Sequence, residues 1–236
     1  MAKDVEQLIE QQARLWEMSR RVSREGGEAA RRALVHLEEG PWLTISRQLG
    51  AGGGEVAERL QERLGWQIYD REILLKIARQ THTREKIISR LDEHAVGHFN
   101  DFVRQLLVPD DMGQAGFLLE MTRVVWALGR QGKAILLGRG ANWVLDPRFG
   151  LRVRLVAPAD IRIARVAEEE GLGRADAEKR VATHDAEQHG FIRQAFGRQI
   201  DDPMGYDVVL NLGRVNPDVA AEAVLVALQR KLVSQP

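Results

Sequence analysis

Two periods organise the apolar positions of this chain. Short apolar runs read as strands: Trp42-Leu43-Thr44-Ile45, Trp66-Gln67-Ile68-Tyr69, Ala134-Ile135-Leu136-Leu137, then 151–156 and 206–212. The run at 134–137 has no polar alternation, so both of its faces are expected to be covered. Between the runs the spacing turns helical. Val56, Ala57, Leu60 and Leu64 fall on one face, and Gly65 follows as a C-terminal stop. The same spacing predicts helices over 70–94, 98–107 and 116–130, one after Pro158, and others over 174–196 and from Asn216-Pro217-Asp218 to about residue 232. Five strands alternating with helices predict an α/β fold: a five-stranded parallel sheet with helices on both faces.

Residues 1–40 read differently, as an N-terminal helical extension to a domain at 41–236. Val5, Leu8, Ile9, Leu15 and Trp16 share one helical face with Gln12 and Ser19. Gly26-Gly27 interrupts the pattern, which resumes over 28–38 with Ala30, Leu34 and Leu37. Such a stripe must be covered by its own domain, a twin or a partner. A homodimer through this helix is therefore a candidate assembly.

Open parallel sheets hold ligands beyond the C-terminal ends of their strands. That directs attention to 46–55, 69–71, 138–142 and the loop after Val156. The first of these contains Gly50-Ala51-Gly52-Gly53-Gly54, set between a strand and a helix. Glycines let backbone N–H groups converge on an anion, and a helix start adds roughly half a positive charge. Three glycines at a helix start weaken it by about 1 kcal/mol each relative to alanine, a cost that close backbone approach to a phosphate explains. The standard phosphate loop ends in Lys and Ser/Thr. Here those positions hold Gly53 and Glu55, and Arg47 is the nearest cation in sequence.

Bulk properties narrow the options. The chain has 236 residues, 44% hydrophobic and 29% charged, with a net charge of zero. No global basic field favours nucleic acid. There is no cysteine, which excludes disulfides and thiolate metal sites. No apolar run approaches the roughly 20 residues of a membrane span, and the polar start Met1-Ala2-Lys3-Asp4 lacks a signal-peptide core. A cytoplasmic protein without membrane contact is the expectation.

Four pieces, in order, carry a resemblance: Thr44-Ile45-Ser46-Arg47-Gln48 before the glycine turn, Tyr69-Asp70-Arg71-Glu72-Ile73-Leu74, Leu137-Gly138-Arg139-Gly140-Ala141-Asn142, and Asp201-Asp202-Pro203-Met204-Gly205-Tyr206-Asp207. From Leu43 onward the chain resembles the cytidylate kinase-like proteins, a branch of the nucleoside monophosphate kinases. The resemblance implies phosphoryl transfer from ATP, with Mg²⁺, to CMP or dCMP. It implies that Ser46, Arg47, Gly50, Gly52, Gly53 and Gly54 bind the donor. Arg139 would grip the acceptor phosphate through a planar fork, with Asp70 and Arg71 beside it and Asn142 reading a base or sugar edge. Residues 174–198 would form a lid, with Arg180, Arg193 and Arg198 as candidates to clamp the transferring group alongside Arg139 as catalytic residues.

The chain departs from the family pattern at several positions. Besides Gly53 and Glu55, Gly54 replaces a basic residue, Gln188 stands where an arginine is expected, and Leu137 replaces an acid. A second reading therefore stays open: a nucleotide-binding or scaffold protein on the same fold without catalysis. Other candidates are weaker. His94 and His98, near Asp92 and Asp101, have metal-ligand spacing but read more simply as solvated side chains. His184 and His189 have no nucleophile partner. Arg152 and Arg154 face the nucleotide or cap a sheet edge, and Trp143 reads as packing.

Overall fold

The computed structural model describes residues 41–79 and 112–233. The extension at 1–40 and the whole of the helical region expected between 80 and 107, His94 and His98 included, lie outside the described residues. Strands β1 (Trp42–Arg47), β2 (Gln67–Tyr69), β3 (Ala134–Leu137), β4 (Gly150–Val156) and β5 (Val208–Asn211) form one sheet in the order β2-β3-β1-β4-β5. Every pairing is parallel. Trp42 stands opposite Ala134 on one side and Gly150 on the other. The strand order reverses around β1, so the ends of β1, β3 and β4 open onto one crevice.

The period-2 pattern of the central strands sorts side chains onto two faces. Leu43, Ile45, Ile135, Val153 and Leu155 pack beneath α1 (Gly53–Leu64) and α7 (Pro217–Val233). Trp42, Leu136 and Tyr69 pack on the opposite face against α2 (Arg71–Arg79), α3 (Met112–Gln131), the short α4 (Ala141–Val144) and α6 (Arg174–Phe196). A third cluster joins Ile163 and Val166 of α5 (Ala159–Glu170) to Ala177 and Val181 of α6, with Leu49 against it. In α1 the anticipated apolar face is the buried one, and burying Val56 or Leu60 contributes about 1.5–3 kcal/mol each. Gly65, in the left-handed conformation at φ 66°, ends the helix by donating its N–H to the Gln61 carbonyl.

Two differences from the sequence expectation have local causes. The fifth strand is shorter than 206–212, because Pro203–Gly205 forms a 3-10 turn capped by Asp202, and Tyr206 turns its hydroxyl to the Ile200 carbonyl at 2.7 Å. The helix α4 lacks a sequence signal because it is only one turn long.

Thr44 sits on β1 at 2% exposure, and its hydroxyl has no hydrogen-bond partner among the described residues. An unpaired buried hydroxyl costs about 1–3 kcal/mol. Thr44→Val keeps the shape and removes that cost. The expected outcome is stabilisation by about 1 kcal/mol, read as a higher urea midpoint at unchanged slope.

Candidate functional site

The glycine turn takes its shape from the helix above it. Gly50 and Gly52 have φ of 73° and 83°, conformations that other residues adopt only under strain. Both are also closed to a Cβ. One at Gly50 would lie 2.5 Å from the Arg162 carbonyl, and one at Gly52 would collide with Arg165 Nη1. A Cβ on Gly53 would lie 2.7 Å from Arg47 Cδ, whereas Gly54 faces open space. Gln48 anchors the turn to β4, donating its N–H to the Leu155 carbonyl and accepting from the Ala157 N–H. Gly52 caps α1 without any side-chain bond, so the first-turn N–H groups remain available to an anion.

A second tight turn follows β3. Gly138, Arg139 and Gly140 are all left-handed, with φ of 75°, 55° and 70°. For Arg139 this is a strained state, of the kind that functional sites sustain. Phe196, from the end of α6, covers Gly140 so closely that a Cβ there would collide with its ring. The Arg139 guanidinium lies 5.3 Å from the Phe191 ring centroid. Its Nε is buried with no partner among the described residues. Burial, and then the neighbouring Arg71 cation, push the Arg139 pKa below its ordinary value. Arg71 opens α2, whose first turn is fixed by Asp70 accepting from the Ile73 N–H at 2.8 Å.

Arg71 and Arg139 share one cleft of about 190 Å³ with Ser46, Arg47 and Asn142. Its far wall is α6, which contributes His184, Glu187, Gln188, Phe191 and Ile192. These recur at three and four residues, one stripe of a helix. Gln188 donates to the Arg47 carbonyl at 3.3 Å and ties the wall to β1. Burial lowers the Arg47 pKa, against the attraction of Asp70. Neither Arg71 nor Arg139 forms an ion pair among the described residues.

His184 responds to the same charge. Burial, then Arg180, and more weakly Arg71, hold its imidazole below the ordinary value of 6.5, against Asp185 and Glu187. A depressed folded value means that the unfolded chain takes up the proton first. Stability is therefore full above pH about 6.5 and falls as the pH drops toward the folded value. An anion in the cleft offsets the arginine charges. Inorganic phosphate is thus expected to raise the His184 titration midpoint, followed by NMR. An unchanged midpoint at saturating phosphate would mean that the anion sits elsewhere.

Arg152 and Arg154 have separate roles. Arg152 pairs with Asp207 at 2.9 Å, and Lys231 joins at 2.6 Å. Burial opposes the Asp207 charge, but hydrogen bonds from Arg152 and Lys231 outweigh it and hold the carboxyl below the usual range. Arg154 is buried, donating to Ser46 Oγ at 2.8 Å and to Asp201 at 2.9 Å. It holds the Ser46 hydroxyl at the floor of the cleft.

Of the residues singled out in the sequence, Ser46, Arg47, Arg71, Arg139 and Asn142 come together in the cleft. Gly50, Gly52 and Gly53 form the adjoining turn, with Gly54 exposed beside them. Asn142 spends its amide N–H on the Gly205 carbonyl at 3.3 Å, bracing α4. Asp70 caps α2 rather than lining the cleft. Arg193 and Arg198 are exposed and line no part of it; Arg198 lies over the Trp143 ring at 5.7 Å. Arg180 pairs with Glu170. Trp143 packs on Gly205 and Tyr206, as packing rather than as a base platform. Sequence reasoning missed Arg162, Arg165 and Phe191, and weighed His184 only as a partner for a nucleophile. A signal for the first two existed: two arginines one helical turn apart, directly after β4.

Among the described residues no group of three acidic or histidine side chains could cage a metal, and no helix is long and apolar enough to cross a membrane.

The model of the cytidylate kinase-like family matches residues 42–214. A cytidylate kinase of Ignicoccus hospitalis is 24% identical over 106 residues, which cover 45% of this chain and 62% of that protein. A cytidylate kinase of Pyrococcus horikoshii is 27% identical over 89 residues, 38% of this chain and 46% of that protein. The matched segment thus spans less than two thirds of either relative. Among solved structures, an uncharacterized protein from Eubacterium ventriosum shares the fold at a TM-score of 0.55 and 19% identity, over 82% of this chain and 99% of that one.

Proposed function

The chain belongs to the cytidylate kinase-like family, and from that premise we propose that it is a nucleoside monophosphate kinase transferring the γ-phosphoryl group of ATP to CMP or dCMP. One observation carries this reading. Arg71 and Arg139 sit in the same cleft with no carboxylate pairing either among the described residues, and burial and then the Arg71 cation disfavour the charge on Arg139. Two like charges held together against their own repulsion call for an anion, and a phosphate monoester satisfies both forks.

The donor's phosphates lie along the glycine turn and the uncapped start of α1. The acceptor phosphate is held between Arg71 and Arg139, with Asn142 toward the sugar and base. An acceptor phosphate oxygen attacks the γ-phosphorus, the bond to the β–γ bridging oxygen breaks, and ADP leaves with the electron pair. Transfer of this kind asks for positioning and charge neutralisation. Residues 174–198 act as the lid over a domain spanning 41–236. Arg193 and Arg198 carry no step in this reading.

Glu55, the carboxylate in the first turn of α1, already lies 3.7 Å from Arg59, so a Mg²⁺ would be held mainly by the nucleotide's phosphates and its own waters. When bound, the ion neutralises phosphate oxygens.

The test is a coupled ADP-release assay with ATP, Mg²⁺ and a panel of CMP, dCMP, UMP and AMP. ADP formation with the cytidine nucleotides is the expected result. Absence of both turnover and binding at millimolar nucleotide would sink the reading. Binding without turnover would favour the second reading, a non-catalytic nucleotide-binding module, which Gly53 and Glu55 support. The proposed setting is cytoplasmic. The assembly is tested separately: deleting residues 1–40 changes the solution mass from that of two chains to that of one if the extension makes a homodimer.

A further inference from the structure

The turn that the donor would use has no lysine of its own. Arg47, the nearest cation in sequence, lies with its stem against Gly53 and is one of the residues lining the cleft. The helix α5 approaches from the other side. The Arg162 carbonyl lies against Gly50, and Arg162 Nη1 reaches the Leu49 carbonyl at 3.4 Å. That guanidinium is committed to Asp185, at 3.0 and 2.8 Å. One helical turn further on, Arg165 Nη1 donates to the Gly50 carbonyl at 3.3 Å and rests against Gly52. Arg165 has no carboxylate partner among the described residues.

We propose that Arg165 supplies, from α5, the phosphate-facing positive charge that the glycine turn itself lacks, and so binds the polyphosphate of the donor nucleotide. The inference rests on the kinase reading above. A guanidinium has five N–H donors. The Gly50 carbonyl takes one of them, which fixes the side chain in place. The others remain for phosphate oxygens at the N-terminal end of α1. Position and charge are thus supplied by different elements: α1 presents backbone N–H groups, and α5 presents the cation. In the standard loop both come from one segment. The left-handed Gly52 is what lets the guanidinium lie this close, since any side chain there would occupy its place.

Calorimetric titration of the full chain with ATP, ADP and adenosine tests this. Arg165→Gln keeps a donor for the Gly50 carbonyl and removes the charge; Arg165→Lys keeps the charge and loses the fork. Arg165→Gln is expected to weaken ATP and ADP binding by about 10- to 100-fold and leave adenosine unchanged, because charge-assisted bonds to phosphate are lost. Arg165→Lys should retain most of the affinity, and the salt dependence of ATP binding should flatten only in the glutamine variant. Equal losses in both variants, or a loss that extends to adenosine, would mean a structural role and overturn the inference. So would undiminished or tighter ATP binding by Arg165→Gln, which would make the guanidinium a bystander or a plug. If the unaltered chain binds neither ATP nor ADP, the kinase reading fails first and takes this inference with it.

Discussion

Arg139→Ala is expected to lower turnover of ATP with CMP by about 100- to 1,000-fold, the usual cost of deleting a donor aimed at developing phosphate charge. The fold should not suffer. Alanine at φ 55° bears the same backbone strain as arginine. Removing the guanidinium also relieves its repulsion with Arg71 and frees the Phe191 face. The variant should therefore melt at or slightly above the temperature of the parent while losing CMP affinity by titration. Arg139→Lys, with charge but no fork, should fall between the two. Arg139→Gly should be the most stable of the three, since glycine alone adopts this φ freely. If Arg139→Ala turns over within about 3-fold of the parent, the acceptor phosphate is not held there.

Asp185→Ala is expected to cost about 1–3 kcal/mol, because it leaves a buried cation short of its partner while Asp185 itself is partly exposed, so that water replaces some of what is lost. Arg162 is only 6% exposed and meets Asp185 through both terminal nitrogens. Removing the carboxylate leaves a desolvated cation whose remaining partner is the Leu49 carbonyl. The double variant Arg162→Met with Asp185→Leu should recover most of the loss, because packed apolar side chains often replace such a pair at little cost. Urea denaturation of Arg162→Met, Asp185→Leu and the double variant completes the cycle. A single-variant cost below about 1 kcal/mol would mean that the pair does not hold α5 to α6.

The sheet was legible because its strands are short apolar runs with clear punctuation. The run at 134–137 is both the expected strand and the observed β3, with all four residues buried. The glycine turn was legible from its composition, and Arg139 from the motif around it, but the left-handed backbone of Arg139 emerged only with the structure. What could not be read was which face of α6 meets the cleft. Arg193 was an attractive candidate by charge. Yet it follows Ile192 by about 100° of helical rotation, off the stripe that carries His184, Gln188 and Phe191. Arg162 and Arg165 were hidden for a different reason. Their importance comes from α5 crossing above a turn more than a hundred residues earlier in the chain. Charge in a sequence has no direction until the packing supplies one.

The parallel order also governs how the chain reaches this structure. β1 is the central strand, yet the partners of Trp42 are Ala134 and Gly150. On a ribosome, the strand that carries the start of the glycine turn emerges long before either neighbour exists. Its apolar residues Leu43 and Ile45 must wait, unpaired, through the synthesis of everything up to β3. Long loop closures of this kind slow folding and prolong the exposure of sticky segments. The topology that gathers three strand ends around one cleft thus makes the first-made strand one of the last to be satisfied, and renaturation from denaturant is expected to be slow and sensitive to protein concentration.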